Sequence, residues 1–223
     1  MGATSGFPID LVLFGMIAAF LVLRLRSILG KRTGFERPPQ PLQPQQGRTA
    51  PAPVIEGHAE PATGAANREV PDAASPVGQT LARTKALDTS FDPARFLEGA
   101  EQAFRMIVTA FAAGDRATLR NLLSDDTYHA FDQAIGTREQ LSQTQVSEIR
   151  GVHGMAIEGA ELRGSTAALT VRIVSDQISL TKDSRGQPIA GTEAVTEITD
   201  LWTFERDLTN RDPTWRLVAA RSA

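Results

Sequence analysis

Residues 90–115 read SFDPARFLEGAEQAFRMIVTAFAAGD, and the apolar side chains recur every three to four positions. Phe96, Leu97, Ala100, Phe104, Ile107, Val108 and Phe111 therefore share one face of a helix. Its ends are marked as well. Asp92 is placed to act as N-cap with Pro93 at the first helical position, Phe91 can staple onto Phe96, and Gly114 supplies the stop. Asp115 can then cap a short second helix carrying Leu119, Leu122 and Leu123. Ser124 can cap a third, with Asp125 and Asp126 in its favourable first turn and Tyr128, Phe131 and Ile135 on its inner face.

Beyond Gln143 the period of the pattern falls toward two. Ser147–Leu162, Thr166–Leu180, Thr192–Glu205 and Trp215–Ala220 read as four antiparallel strands, separated by the turn compositions RGS, DSRGQP and LTNRDPT. In the second of these Ala167, Leu169, Val171 and Ile173 share a face, whereas Val174, Ile178 and Leu180 have the opposite parity, so a bulge is expected near Val174. In the third, Ile198, Trp202 and Phe204 face one way together with Asp200. Three N-terminal helices laid on a bent four-stranded antiparallel sheet make an α+β architecture over residues 91–223.

Upstream the composition changes twice. Nine of the 13 prolines lie between Pro38 and Pro76, and no aromatic residue occurs between Phe35 and Phe91. Such a stretch buries too little to offset its ordering entropy, so residues 31–90 are expected to be a disordered tether spanning ~40 Å as a coil. A proline-rich ligand motif is the other reading of PPQPLQP. Before it, Phe7–Leu23 reads FPIDLVLFGMIAAFLVL, with Asp10 its one charge. About 17 residues at ~1.5 Å rise nearly match a hydrocarbon core of ~30 Å, which suggests a transmembrane anchor over residues 9–30 after a tail of residues 1–8. A buried helix or a signal peptide would also be apolar, but a signal peptide carries its cations first. Here Arg24, Arg26, Lys31 and Arg32 follow the apolar run. By the positive-inside rule they hold the remainder in the cytoplasm, and they would attract anionic membrane lipid.

Composition narrows the chemistry. A formal net charge of −3 gives no basic field for nucleic acid. The absence of cysteine removes disulfides, thiolate metal sites and cysteine nucleophiles. Of the three histidines, His58 lies in the tether, and neither His129 nor His153 belongs to a compact ligand motif, so no metal site and no cofactor are expected. Tyr128, His129 and Asp132 fall within about one turn and form a conceivable acid–base cluster; the plainer alternative is Tyr128 in the core with the other two in solvent. Asp200 on an apolar strand face must be paired, hydrogen-bonded or protonated, and is expected to be a buried polar anchor; a pocket acid or base is the alternative.

Four stretches together resemble a known family: LRLRSILGKRTGFERPP at 23–39, AFRMIVTAFAAGDRATLRNLLSDD at 103–126, ALTVRIVSDQI at 168–178 and VTEITDLWTFERDLTNRDPTWRLVAAR at 195–221. They are similar to bacterial relatives of the matrix-side scaffold of the mitochondrial presequence translocase, the Tim forty-four-like family. The resemblance implies a cone-shaped fold akin to nuclear transport factor two, a hydrophobic pocket and an adaptor role at an inner membrane. This chain departs from the mitochondrial scaffold in carrying a membrane helix and a proline-rich tether. The expected function is a non-enzymatic, membrane-tethered adaptor that holds an unidentified protein partner, lipid, or both. An enzyme or small-ligand carrier on the same cone is the alternative. Phe104, Val108, Phe111, Tyr128, Phe131, Trp202, Phe204 and Trp215 converge from helices and strands as the expected lining of an apolar pocket, or as a filled core.

Overall fold

A computed structural model describes residues 66–223, which form four helices and one five-stranded sheet. The expected anchor, its flanking cations and most of the expected tether lie outside the described residues. Among the described residues, no helix is long and apolar enough to cross a membrane. In chain order the elements are β1 (Asn67–Glu69), α1 (Pro76–Leu87), α2 (Pro93–Ala113), α3 (Arg116–Leu122), α4 (Asp125–Gln140), β2 (Thr144–Arg163), β3 (Thr166–Lys182), β4 (Pro188–Asp207) and β5 (Arg216–Ser222).

The helix boundaries follow from local side-chain chemistry. The Arg95 amide donates to Asp92 Oδ1 at 2.9 Å at the start of α2, and Gly114 ends it in the left-handed region at φ 72°. Asp115 and Ser124 likewise accept from the amides of Thr118 and Thr127, at 3.1 and 3.3 Å. Two arginines then lock the helices together. Arg116 on α3 reaches both Asp132 and Glu139 on α4, and Arg138 donates to the Phe111 and Ala112 carbonyls at the end of α2. Desolvation lowers the pKa of that Arg138 guanidinium, which adds a second donor to the Phe111 carbonyl, already bonded by the Gly114 amide, and reaches the Ala112 carbonyl beside it.

The sheet runs β1-β2-β3-β4-β5, with β1 parallel to β2 and every other pair antiparallel. Along β2 the register slips three times, leaving Arg150, His153 and Glu158 without partners while β3 advances one residue at each step. Each extra residue bends the strand and increases its twist, so the sheet curls around α2. Phe96, Leu97, Ala100, Phe104 and Ile107 from α2 meet Met155, Leu169, Val171, Ile173, Trp202 and Phe204 from the sheet in one continuous core.

The sequence-based expectation needs four corrections. The bulge expected at Val174 is elsewhere: the buried parity of β3 runs unbroken from Ala167 to Gln177, the extra residue opposite is His153, and the β3–β4 register shifts only farther along, between Gln177 and Ser179 and between Thr181 and Lys182. Polar Ser175 and Gln177 occupy the buried face there, whereas apolar Val174 and Ile178 lie on the other. A fifth strand, β1, was not foreseen. Nor was a fourth helix. The folded region also begins near Asn67, so the stretch 67–90 assigned to the tether includes both β1 and α1.

That stretch is poor in large apolar groups and is held mostly by polar contacts. Ser75 caps α1, the Thr84 hydroxyl donates to the Thr80 carbonyl at 3.0 Å, and Leu81 enters the core. A Cβ at Gly78 would come within 2.1 Å of the Asp72 carbonyl oxygen, so the turn entering α1 closes only over glycine. Arg68 pairs with Glu101 at 2.8 Å, tying β1 to α2. At the far end of α1, Asp88 pairs with Arg206 on β4 at 2.9 Å, with both side chains 12% exposed.

Removing one partner of so covered a pair strands the other charge, at a cost of about 3 kcal/mol. Trypsin acting on the native full chain should therefore spare the bonds after Arg83 and Lys85, although both side chains are exposed. Asp88→Ala should make them cleavable. Rapid cleavage there in the unmodified protein would mean that α1 is not part of the fold.

Candidate functional site

The N-terminal half of α2 presents two faces. One enters the core; the other, carrying Arg95, Gly99, Ala103 and Met106, lines a groove of about 410 Å³. The far wall is Leu122 at the end of α3 with Pro213 and Trp215 before β5, and the floor is Phe96, Ala100 and Phe204. Aromatic contacts hold this wall in place. The Trp215 ring lies 4.9 Å from Phe96 and 5.8 Å from Phe91, and Phe96 meets Phe204 edge-on at 6.1 Å. Met106 stands 46% exposed at one end, an uncovered apolar side chain beside an apolar floor.

Charges gather at the other end. Arg206 lines the groove with its guanidinium held by Asp88, while its Nε is buried without a hydrogen-bond partner. The Ser90 hydroxyl, followed by its amide and the Arg206 guanidinium, outweighs burial and holds the Asp88 carboxyl below the usual carboxylate range. Asp92 is similarly lowered by the Arg95 and Ala94 amides that it caps. Arg95 differs from these groups: its exposed side chain makes no hydrogen bond or ion pair among the described residues.

The eight residues expected to line a pocket between helices and sheet are distributed over the core and its margins. Phe104, Trp202 and Phe204 are buried, and the Phe104 and Trp202 rings stack edge-on at 4.9 Å. Val108, Phe111, Tyr128, Phe131 and Trp215 are half-buried against that core; Phe111 meets Phe131 at 4.9 Å, with the Arg138 guanidinium 5.2 Å from the Phe111 ring. Of the eight, only Phe204 and Trp215 line the groove. Gly99, Met106 and Pro213 were missed because an exposed helix face and a turn carry no apolar periodicity.

Asp200 is buried on the inner sheet face. It accepts hydrogen bonds from Gln177 Nε2 and Ser222 Oγ, both at 3.3 Å, and Gln177 also donates to Ser175 Oγ at 2.9 Å. The Tyr128, His129 and Asp132 cluster is divided: Asp132 is tied to Arg116 at 2.6 Å and His129 is exposed. His153, on its bulge, pairs with Asp176 at 2.9 Å and is half exposed. Among the described residues no three His, Cys, Asp or Glu side chains are grouped to hold a metal.

A family model described as the Tim44-like domain matches residues 77–222, which spans α1 through β5. The chain belongs to this family. Among solved structures, the Tim44-like domain is similar to the intermembrane-space region of the chloroplast protein ARC6, at 13% identity and TM-score 0.45, covering 59% of this chain and 96% of that one. Two other similar structures are an NTF2-like protein from Cytophaga hutchinsonii (13% identity, TM-score 0.33, covering 56% of this chain and 95% of that one) and an NTF2-like superfamily protein from Salmonella enterica (8%, 0.36, 59% and 92%). No curated protein matches.

Core and groove positions in the Tim44-like domain should separate by stability. Phe104→Ala empties a fully buried site and should cost about 3–5 kcal/mol in chemical denaturation of the full chain in detergent. Trp215→Ala, at the half-buried groove wall, should cost clearly less. Equal losses would place Trp215 in the core and remove the groove's far wall as a binding surface.

Proposed function

We propose that this protein is a non-enzymatic adaptor, anchored in a bacterial inner membrane through residues 9–30, whose Tim44-like domain holds a partner protein or lipid at the cytoplasmic face. The observation that carries the reading is the family match across residues 77–222. Three features of the chain support it. The apolar run Leu11–Leu23 precedes Arg24, Arg26, Lys31 and Arg32, the order that retains a C-terminal domain on the cytoplasmic side. Proline-rich sequence between anchor and domain suits a tether that lets the domain search the membrane surface. The groove beside α2 is apolar on its floor, with aromatic and arginine side chains at its margins, a composition typical of protein contact sites.

The enzyme alternative would use Asp200 as acid or base. In the non-enzymatic reading Asp200 is a structural anchor, consistent with its amide and hydroxyl donors, Gln177 and Ser222, on neighbouring strands. His129 and His153 are exposed and lie on other elements.

Protease added to intact spheroplasts should leave the domain uncut, and inverted membrane vesicles should expose it. From detergent-solubilised membranes, the full chain should retain a protein that a chain lacking residues 66–223 does not. Cleavage in intact spheroplasts would overturn the topology, and identical capture by both chains would overturn the adaptor role of the domain.

A further inference from the structure

Gly99 is the seventh residue of α2, and an added Cβ there would meet no atom within 4 Å. A glycine in a helix interior costs about 1 kcal/mol relative to alanine, and no packing inside the domain requires it. Its open side faces the groove, four residues from Arg95 and four from Ala103. What gains from a missing side chain at this position is an occupant whose own backbone must come close.

The shape and chemistry of the wall restrict that occupant. Arg95, Gly99, Gln102, Ala103 and Met106 follow helical spacing, so the groove runs along α2 for about three turns, or ~16 Å. The α2 backbone donors and acceptors are consumed within the helix, so an extended peptide laid along this wall would leave its own unpaired. A helix brings its backbone already satisfied. Met106 adds a soft, adaptable apolar contact, and Arg95, whose guanidinium acts on the Asp92 carboxylate through space but makes no hydrogen bond or ion pair among the described residues, places an exposed positive charge at one rim.

We infer that the groove between α2 and Trp215 docks an amphipathic helix of a partner protein, its apolar face crossing α2 at Gly99 and an acidic side chain meeting Arg95. This rests on the adaptor reading and specifies the occupant: a helix with apolar residues at i, i+3, i+4 and i+7 and Asp or Glu beside them. Gly99 sets how closely the helix approaches, and Arg95 selects the sign of its charge.

The probe is a synthetic amphipathic helix of about four turns, with a Leu/Ala face flanked by Glu, and a twin flanked by Lys. Binding to the full chain in neutral detergent is read by anisotropy of the labelled peptide and by amide shifts at Gly99, Ala103 and Met106. The Glu-flanked peptide is expected to bind and to shift these amides. Gly99→Leu should weaken it about tenfold or more, the scale of a central contact, while leaving the thermal midpoint unchanged or raised. Arg95→Glu should weaken it about threefold to fivefold at low salt and favour the Lys-flanked twin instead.

The proposal is overturned if Gly99→Leu does not affect binding, or if Arg95→Glu leaves the preference between the twins unchanged. It is equally overturned if phosphatidylglycerol vesicles shift the groove amides and neither peptide does. If capture from membranes still requires residues 66–223 but survives Gly99→Leu, the adaptor reading stands and this docking site does not.

Discussion

The domain depends on the packing of one helix against a strand that carries three residues more than its neighbour can pair. With Arg150, His153 and Glu158 displaced from the ladder, β2 cannot lie flat, and its bend brings the inner residues of β3 and β4 around the buried face of α2. Phe104, fully buried between that helix and Trp202, lies at the junction of the two layers. A flat sheet would separate the aromatic side chains now meeting near Phe96, Phe204 and Trp215, and the groove's far wall would have nothing to rest on.

Polar contacts then complete what apolar burial begins. Arg116 and Arg138 connect three helices through carboxylates and helix-end carbonyls, and the Asp88–Arg206 pair fastens α1 to a strand 118 residues away. These interactions add little apolar area. Their effect is to fix the relative placement of elements, which a groove built from α2, α3 and the approach to β5 requires.

This division explains what was legible in the sequence. Asp92, Asp115 and Ser124 announce their helices because capping is a contact between neighbours, and Phe96 through Ile107 announce their face because burial repeats with the helical period. The strands beyond Gln143 were visible for the same reason. The helix α1 was not, since Thr80, Thr84 and Asp88 look like tether residues until Arg206 is placed beside them. Val174 misled because apolarity was taken to mean burial, while Ser175 and Gln177 occupy the inner face among hydrogen-bonding partners. The groove escaped notice because an absent side chain at Gly99 and an uncovered Met106 acquire meaning only beside Trp215. The Tim44-like family, by contrast, was recognisable from stretches at 103–126, 168–178 and 195–221, which encode α2 to α4, β3 and the β4–β5 region.

In the adaptor reading proposed above, the working surface is the outer side of α2. Site-specific photo-crosslinking in intact cells tests this most directly, with p-benzoylphenylalanine introduced in place of Met106 in the groove or of Val195, which is 53% exposed on β4. The account predicts a discrete protein adduct from position 106 that is absent from position 195. An adduct from 195 alone, or the same adducts from both positions, would contradict it.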